Sequence, residues 1–288
     1  MLFAWVLMWR SISGQMRFAI INSAGSEMIS ASGRIPEELE IEAFVHGAMC
    51  ISYSGRCLLS SFLAGRDANR GACAHPCRWK YALVEEKRPG QYIPVEADER
   101  GTYIFNSKDL CMIGHIPELC EAGIRSFKIE GRMKTALYAA VTARSYRKAI
   151  DDWFEDPALY REHLKLYEEE IAKCTYREFT TGFYFGRPDS SAQIYDSNTY
   201  VRSWTYLGTV ERTDEEGRAL FRQKNKFCTG DRVEIMKKDF RNVSSMVLGI
   251  RNGEGEDMES APHPLEELHV LMDPAPEPGD LIRMETKE

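Results

Sequence analysis

The chain has 288 residues, and 43% of them are hydrophobic, which is enough apolar material for one large domain or two smaller ones. Its 37 basic and 44 acidic residues give a net charge of −7, which argues against a general nucleic-acid coat but permits a local basic surface. The apolar opening MLFAWVLMW stops at Arg10 without a basic leader or a cleavage pattern, so it fits neither a signal peptide nor a membrane span. Eight cysteines without a secretory signal indicate a reducing compartment, and we predict a cytoplasmic protein with no membrane partner.

Residues 1–40 carry weak signals. The run FAIIN at 18–22 has the composition of a strand, whereas residues 23–33 are small and polar. No motif with a recognisable chemistry occurs in this segment. We therefore expect an atypical N-terminal segment whose residues 1–30 are poorly packed.

Residues 41–190 alternate between strand and helix signals, which is typical of an α/β fold. The apolar run IEAFVH at 41–46 ends at Gly47 and predicts a buried strand. The elements predicted after it are a hairpin over 78–86 and 91–95, a strand at 101–105, a short helix over DLCMI behind capping residues 106–109, a helix at 116–122, a strand at 124–129, and helices at 135–154 and 158–173. These are about four strands where a closed barrel needs eight, so we predict the C-terminal half of a TIM-type (β/α) barrel with open edges.

The composition changes after residue 176, and residues 198–288 read as short alternating strands. Turn signals separate them at Glu216-Gly217, Thr229-Gly230, Asn252-Gly253 and Pro278-Gly279. This spacing predicts a small antiparallel β-barrel domain. The phrase FCTGDRVEIM within it resembles barrel modules of the translation-factor type.

The sharpest chemical signal is a group of four cysteines within 28 residues, Cys50, Cys57, Cys73 and Cys77. Flanking glycines allow the backbone to fold tightly around a shared centre. Four converging thiolates can hold a metal, and because the spacing lacks the paired C-x-x-C knuckles of a zinc ribbon, it suits an iron–sulfur cluster at least as well as zinc. The alternative is that the four thiols are buried and free, which fits poorly with the loop-like contexts Gly-Arg-Cys and His-Pro-Cys.

Charged residues follow the strand predicted at 124–129. Arg132 and Lys134, together with the first amides of the next helix, predict an anion site. We expect Glu130 and Arg132 to contact the substrate, unless they only pair with each other. His46 stands at a strand end beside the first clustered cysteine. Glu130, Arg132 and His46 are therefore the three candidate catalytic residues.

The other four cysteines are scattered, and we interpret Cys120, Cys174 and Cys228 as packing residues. Cys111 is the exception, because a position at a strand-to-helix turn would allow it to approach the clustered cysteines. The sequence contains no H-E-x-x-H, G-x-S-x-G or Walker motif. Standard metallopeptidase, serine-hydrolase and NTPase chemistry therefore has no visible machinery.

Four stretches resemble the U32 family of collagenase-like peptidases: HGAMCISYSGRCLLS, GRDANRGACAHPCRWKY, FNSKDLC and FKIEGRMK. The resemblance extends from about Glu42 to the C-terminus and looks most like the branch that acts in tRNA 5-hydroxyuridine formation. It implies a [4Fe-4S] cluster whose ligands match Cys50, Cys57, Cys73 and Cys77. A typical chain of the family has roughly a further half-barrel before the cysteine signature, where this chain has about 40 residues. We therefore interpret this chain as N-terminally truncated relative to the family.

The function that the resemblance implies is oxygen-independent or prephenate-dependent hydroxylation of a tRNA uridine. Its partners would be tRNA and a prephenate-like acid held by Arg132 and Lys134. A partner protein is a further candidate, and whether it supplies the missing strands stays open. Two alternatives stay open, namely a U32 collagenase-like peptidase and an inactive truncated fragment. No nucleophile–base pair supports the peptidase, and a cysteine that ligates iron would have to leave the metal to attack a peptide bond.

Overall fold

The computed structural model describes residues 6–10, 16–20, 40–49, 59–66, 72–76, 82–84, 92–94, 107–131, 134–186, 190–192, 194 and 200–286. The chain divides into two compact units. The first unit joins Met1–Thr135 to Tyr176–Val201, and the second joins Ala136–Thr175 to Arg202–Glu288. Within the described ranges, no helix combines the length and apolar character that a membrane span requires.

A mixed sheet forms the centre of the first unit. The described elements of this unit are the strands β1 (Val6–Arg10), β2 (Met16–Ile20), β3 (Glu40–Gly47), β4 (Ala82–Val84), β5 (Tyr92–Pro94), β6 (Asp109–Cys111), β7 (Ile124–Ile129) and β8 (Phe179–Thr180), and the helices α1 (Leu59–Ala64) and α2 (Ile116–Glu121). The sheet order is β1-β2-β3-β6-β8, and β7 pairs with β3. The pairs β2–β3, β3–β7 and β6–β8 are parallel, whereas β1–β2 and β3–β6 are antiparallel. The strands β4 and β5 form a separate antiparallel hairpin.

The strand β3 has the most buried side chains of this sheet in the part of the chain that the structure describes. Ile41, Ala43 and Val45 are buried and alternate with half-buried residues, as the pleat of a strand requires. The last two residues, His46 and Gly47, are also buried. The carboxyl end of β3 therefore lies inside the unit and leads directly to the residues before Cys50.

Several sequence predictions for this unit are confirmed. The strand predicted at 41–46 is β3, the hairpin over 78–95 is β4–β5, and the helix and strand predicted at 116–122 and 124–129 are α2 and β7. The strand predicted at 101–105 lies outside the described residues. The packing expected for residues 1–30 concerns side chains that the structure does not describe. The described strands establish a mixed α/β unit, and the TIM-type half-barrel stays a prediction.

The short helix predicted over DLCMI is wrong, because residues 109–111 form the strand β6. The predicted capping carboxylate of Asp109 accepts a hydrogen bond from the backbone N–H of Arg177 instead, at 3.3 Å. The backbone N–H of Asp109 donates to Glu178 O at 2.9 Å, and that of Met112 donates to Val45 O at 2.9 Å. Tertiary pairing with β3 and β8 thus outweighs the local helix-start signal.

The second unit packs two helices and an antiparallel sheet. Its described elements are α3 (Ala136–Glu155), α4 (Pro157–Ile171), β9 (Trp204–Thr209), β10 (Arg212–Thr213), β11 (Ala219–Arg222), β12 (Phe227–Cys228), β13 (Arg232–Met236), β14 (Asn242–Asn252), β15 (Asp257–Met258), β16 (Ser260–Ala261), β17 (Glu267–Asp273) and β18 (Leu281–Glu285). The main sheet has the order β10-β11-β17-β14-β13-β18-β9, with β15 paired to β14. The two predicted helices and the antiparallel C-terminal domain are confirmed. The predicted domain boundaries, 1–40, 41–190 and 198–288, stay predictions.

The main sheet of the second unit curls so that its two ends approach each other. Gly208 of β9 lies against Phe221 of β11, and a Cβ atom at Gly208 would come within 2.4 Å of the Phe221 ring. Any larger residue at this position would clash with a ring that is 1% exposed. Glycine at this position therefore permits the close approach of β9 and β11.

A buried ionic network joins the helices of this unit to the sheet. The Glu170 carboxylate of α4 accepts hydrogen bonds from Arg283 Nη2 of β18 at 2.6 Å and from Arg144 Nη2 of α3. Arg283 is 0% exposed and Glu170 is 2% exposed. Burial by itself raises the pKa of Glu170, but Arg283 and Arg144 outweigh this effect and hold the pKa below its ordinary value.

We expect Glu170→Gln to reduce the free energy of unfolding of the second unit by about 3 kcal/mol, because it removes the carboxylate paired with Arg144 and one of the two paired with the buried Arg283, which retains Glu234. The matched control is Glu169→Gln on the same helix, where an exposed carboxylate pairs with Lys165 at 3.6 Å. Glu169→Gln should reduce the free energy of unfolding by less than about 0.5 kcal/mol. Urea unfolding followed by circular dichroism measures both, and equal losses would contradict the account. The Glu170 difference should shrink as the pH falls below 4.5, where the carboxyl group of the unfolded chain takes up a proton.

Candidate functional site

Charged and aromatic side chains of the first unit meet where β3 ends and β6 begins. We call this group the strand-end cluster, and its members are His46, Asp109, Lys134, Arg177 and Tyr200. They come from five separate segments of the chain. Asp109, Lys134, Arg177 and Tyr200 are joined by direct contacts, and His46 interacts electrostatically with Asp109 and Lys134.

A buried ion pair lies at the centre of the cluster. Lys134 Nζ lies 3.6 Å from Asp109 Oδ2, and the side chains are 12% and 1% exposed. The same carboxylate oxygen accepts the backbone N–H of Arg177 at 3.3 Å. The pair and the amide compensate the desolvation of the Asp109 carboxylate, which would otherwise be costly.

Two cations face the ring of Tyr200. Lys134 Nζ lies 4.8 Å from the ring centroid, and Arg177 Cζ lies 5.3 Å from it. Arg177 is 1% exposed, so its charge sits in a low-dielectric environment where electrostatic attraction is strong. Two cations beside one aromatic face are an arrangement that suits an anionic ligand.

His46 is a neutral member of the cluster. Burial lowers its pKa to about 4, Asp109 opposes that shift, and Lys134 adds to it. Its ring lies 5.5 Å from the ring of Phe179, and its carbonyl accepts the backbone N–H of Glu130 at 2.8 Å. At neutral pH this imidazole carries no charge and is a weak base.

The segment 72–76 is held beside the strand-end cluster. His75 Nδ1 lies 3.4 Å from the hydroxyl oxygen of Tyr200. The backbone N–H of Ala74 donates to Ser60 Oγ of α1 at 2.9 Å, and Ser60 is 0% exposed. These contacts tie the part of the cysteine motif that contains Cys73 both to α1 and to Tyr200.

The described part of the cysteine motif fits a thiolate ligand set. The backbone N–H of His75 donates to Cys73 Sγ at 3.3 Å, and hydrogen bonds of this kind stabilise ligand sulfurs in iron–sulfur sites. Cys73 is half-buried and is not part of a disulfide. Cys73 is the one cysteine of the motif that lies in the described residues, and a thiolate is a soft ligand that suits iron–sulfur clusters or zinc better than a hard cation.

The structure brings together some of the predicted site residues. Lys134 pairs with Asp109, the Asp109 charge acts on His46, and the backbone N–H of Glu130 donates to His46 O. Cys111 lies directly opposite His46 across the β3–β6 pair. The predicted ligands Cys50, Cys57 and Cys77, and the predicted substrate contact Arg132, lie outside the described residues. Among the residues that are described, no group of three or more His, Cys, Asp and Glu side chains could hold a metal.

Sequence reasoning missed Asp109, Arg177 and Tyr200. Asp109 was assigned to a helix cap, and Arg177 and Tyr200 are 68 and 91 positions further along the chain. No local pattern links residues at such separations. Only their shared contact with Lys134 or with each other identifies them as one group.

The second unit has a cleft of about 420 Å³ between α3 and the turn that joins β13 to β14. Most of its cations are already neutralised. The ion pairs in and beside it are Arg144–Glu170, Arg147–Asp151, Lys148–Asp152 and Lys237–Asp280. The strand-end cluster, in which Lys134 and Arg177 face one aromatic ring, is the better candidate for an anion-binding site.

The depressed pKa of His46 makes the stability of β3 depend on pH. Between the ordinary value of 6.5 and the folded value of about 4, the unfolded chain binds a proton that the folded chain does not. We expect the free energy of opening β3, from amide hydrogen exchange, to fall by about 2 kcal/mol from about pH 7 to about pH 5. His46→Gln should remove most of this fall, whereas the control His115→Gln, at a half-exposed histidine, should retain it. An unchanged fall in His46→Gln would refute the assignment.

Two family models together match most of the chain. The model described as Peptidase family U32 matches residues 27–194, and the model described as Peptidase family U32 C-terminal domain matches residues 202–283. The tRNA hydroxylation protein P1 of Bacillus subtilis (strain 168) is 35% identical over 250 residues, which is 85% of this chain and 58% of that protein. The tRNA hydroxylation protein P of Escherichia coli (strain K12) is 33% identical over 299 residues, which is 90% of this chain and 65% of that protein.

A protein with a different name is also similar. The collagenase of Porphyromonas gingivalis (strain ATCC BAA-308 / W83) is 37% identical over 153 residues, which is 52% of this chain and 34% of that protein. The chain thus spans less than two thirds of the length of each of these three relatives. The sequence prediction of family membership is confirmed: the chain belongs to peptidase family U32.

Proposed function

We propose that the chain acts in tRNA modification, by hydroxylating a uridine to 5-hydroxyuridine in an oxygen-independent or prephenate-dependent reaction that uses a [4Fe-4S] cluster. The proposal takes its substrate from two relatives that are named tRNA hydroxylation proteins and together match most of this chain. Because the chain spans less than two thirds of their length, the proposed activity is that of the whole protein. The reaction would take place in the cytoplasm.

One observation carries the proposal: Tyr200 joins the cysteine segment to the cationic part of the strand-end cluster. Its hydroxyl group lies 3.4 Å from His75, two residues after Cys73, and its ring faces Lys134 at 4.8 Å. A redox-active group on the cysteines and an acid on the cations would therefore be neighbours. Such proximity is what a reaction between them requires.

The co-substrate in this proposal is a prephenate-like acid. Lys134 and the neighbouring Arg132 would bind a carboxylate, and Arg177 would add a second buried positive charge beside Tyr200. His46, neutral at pH 7, would add no charge of its own. The half-buried Tyr200 ring offers an apolar face to the remainder of the ligand.

Cys50, Cys57, Cys73 and Cys77 would hold the cluster in this proposal, with zinc as the alternative metal. A bound cluster would supply electron transfer at this place. The half-barrel is part of the same proposal. The parallel neighbours β3 and β7 both end at the strand-end cluster, β3 near His46 and β7 just before Glu130. Active sites of (β/α) barrels are built at that end of the strands.

The second candidate is a peptidase, and the likeness to a collagenase together with one juxtaposition favours it. Cys111 and His46 lie opposite each other on antiparallel strands, so their side chains share one face of the sheet. A cysteine nucleophile needs a base that can accept its proton near neutral pH. The pKa of about 4 makes His46 too weak a base for this task, so we favour tRNA modification.

Nucleoside mass spectrometry tests the proposed function in a host whose own tRNA hydroxylation proteins have been deleted. We expect the unaltered chain to restore 5-hydroxyuridine in tRNA. Arg132→Lys should reduce it at least about tenfold, because lysine cannot bind a carboxylate with two parallel hydrogen bonds. The control Arg125→Lys, at an exposed position of β7, should keep it.

Three results would overturn these assignments. Absence of 5-hydroxyuridine with the unaltered chain would leave an inactive fragment, and gelatin hydrolysis that is lost in Cys111→Ser would favour the peptidase. Full modification with Arg132→Lys would return Arg132 to a structural role.

A further inference from the structure

Three exposed cations lie close together on the second unit. We call Arg222, Lys224 and Lys226 the cationic ridge. Arg222 is the last residue of β11, and the other two belong to residues 223–226, which link β11 to β12. All three are exposed, whereas Gln223 and Phe227, beside them in the sequence, are buried.

The link that carries the ridge is fixed to the rest of the unit by hydrogen bonds. Lys224 N donates to Leu207 O at 2.8 Å, and Gln223 N donates to Glu266 O at 3.0 Å. The Gln223 side chain is 0% exposed, and its Nε2 donates to Ala261 O and, at 3.1 Å, to Asn225 O. Because the backbone is held at several points, a ligand would not have to order it, and binding would cost less entropy.

The ridge is distinguished by the density of its unpaired charge, because its three exposed cations fall within five consecutive residues. Within the described residues, none of its three members forms an ion pair, although Glu267 lies opposite Arg222 in the strand register. Several other exposed cations of the unit do have carboxylate partners, as in Arg147–Asp151, Lys165–Glu169 and Arg241–Asp239. In a chain with a net charge of −7, a group of unpaired cations is a local positive surface directed at a polyanion.

We infer that the cationic ridge binds the phosphate backbone of RNA, and this inference rests on the proposed function for its choice of tRNA. Five consecutive residues span at most roughly 14 Å, so the ridge can meet two or three phosphates. Anionic lipid surfaces are usually recognised by about four to eight clustered cations, which exceeds the three present here. Protein interfaces, in turn, are depleted in lysine at their cores.

Salt dependence of tRNA binding tests the inference on the full chain. Labelled tRNA is titrated at several salt concentrations with the unaltered chain and with the triple variant Arg222→Gln, Lys224→Gln, Lys226→Gln. Loss of three phosphate contacts should reduce the slope of log K against log salt by about 2 to 3 and weaken binding at low salt at least about tenfold. Unchanged circular dichroism spectra verify that the exposed substitutions leave the fold intact.

The matched control removes the same charge at paired positions of the same unit, in the variant Arg147→Gln, Lys165→Gln, Arg241→Gln. We expect its slope of log K against log salt to stay within about 0.5 of the slope measured with the unaltered chain. Equal effects of the two triple variants, or no tRNA binding by the unaltered chain, would overturn the inference. Binding to vesicles that contain phosphatidylserine is measured in parallel, and a ridge variant that loses only vesicle binding would also overturn it.

The outcomes separate this inference from the proposed function. If 5-hydroxyuridine forms but the ridge variant keeps the full salt slope, the ridge assignment is wrong and tRNA hydroxylation stands. If the ridge governs tRNA binding while no 5-hydroxyuridine forms, the hydroxylation proposal fails and the RNA-binding surface stands.

Discussion

The buried ion pair between Asp109 and Lys134 is the contact on which the candidate site depends. Asp109 begins β6 and Lys134 follows β7, and these strands pair with β3 on its two sides. A carboxylate that is 1% exposed requires a compensating charge, so the pair fixes the position of Lys134. Lys134 in turn contacts Tyr200, and Tyr200 reaches the segment of Cys73 through His75.

Charge serves two different purposes in the two units. In the second unit, Glu170 between Arg144 and Arg283 is a buried network whose charges satisfy one another, and it joins helices to sheet. In the first unit, Lys134 and Arg177 both face the ring of Tyr200, which is an arrangement that suits an anion. On the cationic ridge, the charges are both exposed and unpaired within the described residues, which is the arrangement that a phosphate backbone can use.

The sequence predicted those parts of the fold that have a local pattern. Apolar runs and helical periodicity identified β3, β7, α3 and α4, and the turn spacing identified the antiparallel C-terminal sheet. The strand β6 was missed because its neighbours β3 and β8 override the capping signal of Asp109. In the site, His46 and Lys134 were predicted from their places at strand ends, whereas Arg177 and Tyr200 were not, because only tertiary contacts bring them to Asp109 and Lys134.

We propose that a thiolate-bound iron–sulfur cluster lies beside the cationic site, and iron analysis of the anaerobically purified chain tests this proposal most directly. The account predicts a brown protein with the visible absorption of a [4Fe-4S] cluster, loss of most iron in Cys73→Ser, and unchanged iron in the control Cys120→Ser. Cys120 is half-buried on α2 and is not part of the cysteine motif. A colourless chain, or a Cys73→Ser variant with the full iron content, would contradict the account.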